Sequence, residues 1–350
     1  MRILTTGESW VGSTGRAGTS ALRRLGHDVN EVNIDVFIPQ WRNRLSRAIA
    51  KLLFPIARRE FNEALLHHAW QQSPDLFIAF KGPYVDAATL RGMRKMGIRL
   101  YNYYPDTSAF THGRDLPKAL PEYDCTFYTK PFWDGDVRRR ITLRESVFLP
   151  HGYDEDVHRE WPLSATDREE FGVDVVVIGS HTRYKEGILG ELLRLRPKLN
   201  LKIWGNRWES CRNEAVLNCW QLSALTGQAY ARALQAAKIN LAITSGIVKG
   251  ASQGDFVTTR TYQIPACGGF MLHERNPELL ELFTEGKEVA CFESAAELAE
   301  KIDYYLAHPE ERAAIARAGH ARCVPAHSYT NRMQALLDWH HAHSGDAAAR

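Results

Sequence analysis

Short strand-like runs alternate with helical stretches along the whole chain, and this alternation restricts the fold more than any other feature. In the first half the strand candidates are residues 2–6, 28–33, 75–80, 99–104, 125–129 and 146–150. Helical patterns separate them at 14–25, 86–96 and 132–140. This order predicts an α/β fold with a mostly parallel sheet and helices on both of its faces.

The alternation restarts after a polar, acidic stretch at 151–170, which we interpret as a linker. Strand candidates follow at 174–180, 201–204, 239–244, 269–273 and 288–292, and helices at 295–307, 310–323 and 329–340. Two Rossmann-like halves therefore recur, and a cleft between them is the expected ligand site. The predicted domains are 1–155, joined by a C-terminal helix at 326–342, and 172–325.

Composition and charge exclude several classes of protein. The chain has 350 residues, enough for about two domains, and its net charge of +3 is too small to indicate nucleic-acid binding. No apolar run approaches the ~20 residues that span a bilayer. The cysteines form no CxxC pair, which argues against a zinc site. Their scatter and the lack of a signal peptide predict a reducing cytoplasm; they are Cys125, Cys211, Cys219, Cys267, Cys291 and Cys323.

The segment 41–70 is unusually basic, with six basic residues against two acidic ones, interleaved with Leu, Ile and Phe. One interpretation is a pair of covering helices with a solvated basic face. The other is a basic amphipathic surface that approaches an anionic membrane or a lipid-linked acceptor. Pro55 interrupts the segment, which argues against one long interfacial helix.

The glycine-rich loop at 7–18, GESWVGSTGRAG, follows the first strand candidate. It is neither a Walker A motif nor GxGxxG, and Asp35 is a weak candidate for the acid that binds ribose in dinucleotide folds, so a nicotinamide dehydrogenase is disfavoured. Two interpretations remain. The glycines ease a strand-to-helix turn, or the N–H groups around Gly12 and Ser13, with Arg16, cover a diphosphate or guide an acceptor.

Long stretches of the second half follow a known pattern, in DVVVIGSHTRYKEGILGELL, LTGQAYARALQAAKINLAIT and TRTYQIPACGGFMLHERNPELLELF. They resemble the C-terminal domain of GT-B glycosyltransferases, and more narrowly the family that includes the spore-maturation CgeB-type proteins. LPHGYDEDVH, MRILTTGESWVGST and YNYYPDTSAF extend the likeness towards the N-terminus. The resemblance implies two Rossmann-like domains, a last helix that crosses back onto the first domain, and transfer of a sugar from a nucleotide donor.

The segment GSHTRYK at 179–185 is the first candidate for donor binding. A diphosphate leaving group gains negative charge as the glycosidic bond breaks, and cations held in place beforehand lower that barrier. Gly179 would let the backbone approach the phosphates, Arg183 would give a bidentate contact, and Lys185 a point charge. Retaining GT-B enzymes place a basic pair here, so the resemblance implies donor-binding roles for both cations and a catalytic one for Arg183. The alternative is a solvated basic helix start.

The second candidate is the segment 255–263, where many retaining GT-B enzymes carry two glutamates with seven residues between them. This chain has Asp255 and Gln263 at that spacing. The resemblance implies that Asp255 acts at the sugar and that Gln263 binds the ribose hydroxyls. Arg260 and Thr259 are assigned to donor binding, because a helix start favours an anion. A salt bridge to the linker is the alternative for Arg260.

In the first half, Asp106 directly follows a strand candidate, beside Tyr103 and Tyr104. An inverting enzyme would need a base here to deprotonate the acceptor, whereas in a retaining enzyme Asp106 would only position it. The two rings could stack on an acceptor sugar, and His151 could face the cleft. The alternatives are an Asx-type turn for Asp106 and a backbone-bonded histidine.

The resemblance therefore implies a retaining hexosyltransferase that uses a UDP-, GDP- or dTDP-sugar as substrate, with no cofactor. No metal is expected, since no DxD motif or carboxylate cluster follows a strand. The acceptor is a carbohydrate, a lipid-linked molecule or a protein, and the location is the cytoplasm, at the inner face of the membrane if 41–70 contacts lipid. Two rivals stay open: a nucleotide-sugar epimerase on the same fold, and a non-catalytic protein that binds nucleotides or sugars.

Overall fold

The computed structural model describes residues 1–38 and 44–344, and the chain divides into two compact units. The first unit comprises Met1–His151, Val248–Gln253 and Tyr329–Arg350, and the second comprises Gly152–Ile247 and Gly254–Ser328. Each unit contains one parallel sheet.

The sheet of the first unit has six strands in the order β2-β1-β3-β4-β5-β6, and every neighbouring pair is parallel. Its strands are β1 (Arg2–Gly7), β2 (Asp28–Asn33), β3 (Leu76–Phe80), β4 (Arg99–Tyr104), β5 (Cys125–Tyr128) and β6 (Glu145–Phe148). Its helices are α1 (Thr14–Arg24), α2 (Ile34–Phe37), α3 (Arg44–Gln72), α4 (Ala87–Lys95), α5 (Asp115–Ala119) and α6 (Trp133–Arg138). Short 3-10 turns lie at Ala109–Thr111 and Leu120–Glu122.

The sheet of the second unit has five parallel strands in the order β11-β10-β9-β7-β8. They are β7 (Val175–Ile178), β8 (Leu201–Trp204), β9 (Ile239–Ala242), β10 (Met271–Glu274) and β11 (Ala290–Phe292). The helices are α7 (Ala165–Phe171), α8 (Arg183–Leu195), α9 (Glu214–Leu217), α10 (Gly227–Ala236), α11 (Thr259–Ala266), α12 (Pro277–Leu282), α13 (Ala295–Ala307) and α14 (Pro309–Cys323), with a 3-10 turn at Trp208–Ser210.

The C-terminal helix, α15 (Tyr329–Ser344), belongs to the first unit, as the sequence predicted. Its buried Met333, Leu336 and Leu337 join Ala21 and Leu22 of α1 in one core cluster on one face of the first sheet. Burying such side chains contributes roughly 1.5–3 kcal/mol each. This burial holds the last helix on the first unit, although the residues that precede it in the chain belong to the second.

The unit boundaries differ from the predicted domains in two places. From Gly152 onwards the predicted linker at 151–170 belongs to the second unit. It contains most of α7, whose first turn is closed by a capping box between Ser164 and Asp167. Tyr153 and Phe171, at either end of this stretch, lie in the core of that unit. The segment Val248–Gln253, predicted within the second domain, clusters with the first unit.

The helix α3 continues through Pro55, so the expectation that this proline breaks the segment is wrong. A proline removes one backbone donor and bends a helix. The following turns bury Phe61, Leu65 and Ala69 at helical spacing in the core, and this packing outweighs the local cost. Residues 41–43 lie outside the described part of the chain. Within that part, no helix is long and apolar enough to cross a membrane.

Candidate functional site

Both sheets share one topological feature, a switch point at the carboxyl end of the first strand. In each unit the first strand lies between the second and the third, so the chain winds in opposite directions on its two sides. Ligands of such folds bind outside the carboxyl ends of the strands at this point. In the second unit the position lies between β7 and β9, and in the first unit between β1 and β3.

Two cationic side chains meet at the switch point of the second unit. Gly179 directly follows β7, and a Cβ atom there would lie 3.0 Å from Arg260 Nη1 and 3.6 Å from Lys185 Nζ. Lys185 comes from the first turn of α8 and Arg260 from the first turn of α11. Within the described residues, neither cation is part of an ion pair. The geometry therefore brings together three residues that the sequence assigned to donor phosphates.

The Lys185 ammonium is buried and donates a hydrogen bond to the carbonyl of Ser180 at 3.0 Å. Burial, reinforced by the charge of Arg260, lowers the pKa of Lys185 to about 7, although Asp255 and Glu274 act in the opposite direction. A buried lysine beside an arginine is costly in the absence of an anion, because both charges disfavour each other. An anionic ligand would remove that cost.

Two carboxylates border the cations. Glu274 ends β10, and its oxygens accept hydrogen bonds from the Thr244 N–H and the Tyr184 hydroxyl, each at 2.5 Å. Asp255 is fixed by a backbone hydrogen bond to Ser245 at 3.0 Å. Asp255 was assigned to the sugar from the sequence, whereas Glu274 was missed. Its position as the last residue of a buried strand was the signal that could have found it.

The remaining residues assigned to the donor lie on α11. Gln263 is buried, and its Oε1 accepts a hydrogen bond from the Tyr230 hydroxyl at 2.7 Å, so that oxygen is already engaged. Thr259 is the first residue of the helix and is half-buried. The neighbouring Thr258 and Thr261 form a capping box that closes the same turn.

Arg183 does not join the cation pair. It is exposed at the start of α8 and lines a surface pocket with Glu186, Gly187 and Gly190. Positions 183 and 185 are two residues apart on a helix, and therefore about 200° apart around its axis. The structure thus separates the two cations that the sequence treated as one pair.

In the first unit, Asp106 lies just beyond β4 in an ion-paired cluster. One carboxylate oxygen is 2.7 Å from Lys81 Nζ and 2.7 Å from His112 Nε2. Burial raises the pKa of Asp106, but the hydrogen bond from His112 and the charge of Lys81 outweigh this effect and hold the pKa far below its usual range. A carboxylate so stabilised is a weak general base. The sequence did not identify Lys81 or His112 as its partners.

The aromatic residues beside Asp106 belong to the core. Tyr103 and Tyr104 are fully buried, and their hydroxyls donate to the carbonyls of Pro150 and Ser108. Their rings are thus covered by protein and do not offer a face for stacking on a sugar, contrary to the expectation. His151 is buried as well, and burial together with the charge of Lys130 keeps its pKa well below the usual value.

The opening loop is a tight strand-to-helix turn. Ser13 caps α1, since its hydroxyl accepts from the Arg16 N–H at 3.2 Å and donates to the Glu8 carbonyl at 2.7 Å. A Cβ at Gly15 would lie 2.5 Å from that same carbonyl, and Gly12 has a left-handed φ of +99°. The Arg16 side chain is exposed. These contacts support the turn interpretation, and a role in covering a ligand stays a proposal.

A family comparison matches the second part of the chain. Residues 168–338 match the model of a glycosyl transferase-like family. No curated protein matches the sequence.

Solved structures match over nearly the whole chain. Sucrose-phosphate synthase from Thermosynechococcus elongatus has 13% identity and a TM-score of 0.66, with 98% of each chain covered. HepE from Anabaena, solved in complex with UDP and glucose, has 13% identity and a TM-score of 0.63 over 98% of this chain and 100% of its own. A putative UDP-N-acetylglucosamine 2-epimerase from Listeria monocytogenes has 9% identity and a TM-score of 0.57, covering 96% and 94%.

The two α/β units with parallel sheets match these structures in fold, and the family model covers all five strands of the second unit's sheet. Together, the family model and the structural neighbours support a glycosyltransferase of the GT-B fold class.

Proposed function

We propose that this protein transfers a sugar from a nucleotide-diphosphate donor to an acceptor, and that the second unit binds the nucleotide. The observation that carries the proposal is the convergence of Lys185 and Arg260 on Gly179 at the switch point. A buried lysine and a half-buried arginine that face a glycine and a strand end form a site for a compact polyanion, because such a ligand offsets the cost of placing the two positive charges side by side. HepE, similar in fold, was solved with UDP and glucose.

The cation pair would stabilise the leaving nucleoside diphosphate as its charge develops. Lys185 would hold one phosphate as a point charge, and the Arg260 fork would hold a second. Two fixed positive charges supply the stabilisation that a divalent metal gives in other transferases, so we propose a metal-independent reaction. In this scheme Gln263 binds the ribose through its amide nitrogen.

A retaining mechanism is our choice for the stereochemical course, and it rests on the resemblance of the second unit to retaining enzymes. Asp255 and Glu274 would then face the sugar and the positive charge that develops on it. Asp106, whose pKa is held low by its partners, would position the acceptor rather than take its proton. The anomeric configuration of the product distinguishes this retaining mechanism from an inverting one, in which Asp106 would take the acceptor's proton.

The finer assignments concern the family and the partners. We propose a CgeB-like hexosyltransferase that acts on a carbohydrate, lipid-linked or protein acceptor. A peripheral membrane contact is supported by the exposed Leu52, Leu53 and Ile56 on the basic helix α3. Co-sedimentation with vesicles that contain anionic lipid tests this contact, and equal sedimentation of a Leu52→Glu/Leu53→Glu variant would exclude it.

A panel of nucleotide sugars tests the function. The melting temperature is measured with UDP-, GDP-, dTDP- and CMP-sugars, and each stabilising donor is then assayed for release of its nucleoside diphosphate. We expect one nucleotide to raise the melting temperature and its sugar conjugate to be hydrolysed slowly without an acceptor. If no nucleotide stabilises the protein, the transferase proposal fails. If a nucleotide raises the melting temperature but no nucleoside diphosphate is released, the result supports the alternative of a non-catalytic protein that binds nucleotides or sugars.

An epimerase is the second candidate, because the Listeria protein with a similar fold is a putative UDP-N-acetylglucosamine 2-epimerase. An epimerase converts the donor alone and leaves its stereochemistry changed at one carbon. Proton NMR of the donor, incubated with the protein and no acceptor, separates the two. A new sugar epimer would favour the epimerase, and release of nucleoside diphosphate with the sugar unchanged at its ring carbons would favour the transferase.

A further inference from the structure

Three side chains with metal-binding atoms meet on the outer side of α8, away from the cation pair. One ligand atom each from His181, Glu186 and Cys211 lies within 4.8 Å of the other two. They come from three separate places: the turn after β7, the first turn of α8, and the residue that follows the 3-10 turn Trp208–Ser210. His181 and Cys211 are each only 8% exposed, so the group is sheltered from bulk water.

The orientation of each donor is set by its surroundings. Glu186 Oε1 accepts hydrogen bonds from the N–H groups of Arg212 and Asn213, at 2.9 and 3.1 Å, which leaves Oε2 directed at His181 Nε2, 2.8 Å away. The His181 ring packs edge-on against Trp208, with ring centroids 5.1 Å apart. Fixed carboxylates and packed histidines are the usual surroundings of metal ligands.

The thiol has a weak partner by comparison. Cys211 Sγ donates to the Asn213 carbonyl at 3.5 Å, and a thiol is only a weak hydrogen-bond donor. A nitrogen, a carboxylate oxygen and a sulfur together are the donor set that Zn²⁺ prefers, and three protein ligands leave a fourth tetrahedral position for water. Ligand atoms around such an ion lie roughly 3.5 Å apart, so small side-chain rotations would suffice.

We propose that His181, Glu186 and Cys211 form a binding site for one divalent cation of the Zn²⁺ type. The ion would replace the protons that now lie between these groups, and the thiol proton would leave to solvent. Glu186 also lines the surface pocket shared with Arg183 and Asn213, which gives an ion a path from solvent. The ion would tie the first turn of α8 to the segment after β8.

This site is independent of the proposed function. Glu186 projects from the side of α8 that carries Arg183 and Gly187, whereas Lys185 projects into the core, so the ion would lie apart from the donor phosphates. The lack of a CxxC pair predicted no zinc site. The three ligands are instead dispersed along the chain, with five residues from His181 to Glu186 and 25 from Glu186 to Cys211.

Cobalt substitution tests the proposal on the full chain, purified without a metal-affinity tag or chelator. We expect about one zinc per chain as isolated. After exchange, Co²⁺ should give a thiolate-to-metal charge-transfer band and the visible bands of a four-coordinate ion. Cys211→Ser should lose the charge-transfer band and bind cobalt at least tenfold more weakly. Cys219→Ser is the matched control, because Cys219 is half-buried nearby with its thiol on the Ala215 carbonyl, and it should keep the band.

Two results would overturn the proposal. One is a wild-type protein that binds no zinc and gives no thiolate band with cobalt, which would mean that the three groups form only a hydrogen-bonded cluster. The other is a band that persists in Cys211→Ser. If that variant does not fold, His181→Ala takes its place, with weaker cobalt binding and a changed visible spectrum expected, and unaltered binding contradicting the site.

Discussion

The two units place different chemistry at the carboxyl ends of their strands, the first at the ends of β3 and β4 and the second at its switch point. In both sheets the third strand and the first strand flank a switch point, and charged side chains gather at the strand ends. In the first unit the charges are paired, because Lys81 and His112 each lie 2.7 Å from the same Asp106 oxygen. In the second unit two cations, Lys185 and Arg260, meet at Gly179 with no ion-pair partner among the described residues.

This difference indicates which of the two positions awaits an anion. A paired cluster satisfies its own charges and favours a ligand that brings hydroxyl groups. A buried lysine beside a half-buried arginine, neither of them ion-paired among the described residues, leaves the folded protein with a cost that a diphosphate would remove. In both units the topology provides a binding position at the strand ends, and the side chains at that position determine which ligand binds.

The largest expected effect comes from removing the buried ammonium. Lys185→Met should lower kcat/KM for the donor by about 100-fold or more, because a desolvated charge opposite a diphosphate is lost. The same change should raise the free energy of unfolding at pH 7 by about 1–3 kcal/mol, since it removes a buried charge. Steady-state kinetics and urea denaturation measure both. Lys198→Met, at an exposed lysine, is the control and should change neither.

The second prediction concerns pH. The pKa of Lys185 in the folded protein, about 7, lies below its unfolded value of 10.5. The unfolded chain therefore binds more protons between these values, and the stability of the free protein should rise from pH 7 towards pH 10.5. Donor binding requires the protonated amine, so donor affinity should fall by about tenfold for each pH unit well above 7. A donor affinity that is flat from pH 6 to 9 would contradict the assignment of Lys185.

The third prediction tests the paired cluster. Asp106→Asn should reduce the free energy of unfolding by about 1–2 kcal/mol, because Lys81 and His112 lose a partly exposed ionic partner. Donor affinity should stay within about twofold of wild type, because Asp106 lies at the end of β4 in the other unit. A calorimetric titration with the nucleotide checks this. A donor affinity reduced as much as in Lys185→Met would remove the distinction between the two positions.

The smallest effect is expected at Arg183. Arg183→Ala should lower donor turnover by no more than about threefold, since its exposed side chain faces the outer pocket and contributes only a screened charge. Comparing this variant with Lys185→Met ranks the two cations directly. A loss of turnover in Arg183→Ala equal to that in Lys185→Met would restore the pair that the sequence suggested.

The periodic features of the sequence predict most of the fold. Buried strands such as the VVVI run of β7 carry a continuous apolar pattern, and their alternation with helices predicts two parallel sheets. The C-terminal helix was expected on the first unit because of the resemblance to GT-B glycosyltransferases. The continuation of α3 through Pro55 was missed, because a local cost was judged without the packing that outweighs it.

The site was harder to predict, because it depends on direction around helices and on contacts distant in sequence. Arg183 and Lys185 are both basic residues, so the sequence does not distinguish them. The residue at which α8 begins determines which of the two side chains is buried. Lys81 follows β3 and Asp106 follows β4, so their ion pair depends on these two strands being neighbours in the sheet. Predicting the pair therefore requires the order of the strands as well as their positions in the sequence. Tyr103 and Tyr104 belong to a strand buried on both faces, where an aromatic ring is structural.

Calorimetric titration of wild type and Lys185→Met with the nucleoside diphosphate that stabilises the protein tests the central claim most directly. It is done at pH 8 in two buffers with different ionisation enthalpies. We expect wild type to bind the nucleotide with uptake of about one proton, because the anion restores the charge of Lys185. Lys185→Met should bind far more weakly and take up no proton. Equal affinity and equal proton uptake in the two proteins would contradict the claim that Lys185 and Arg260 form the donor site.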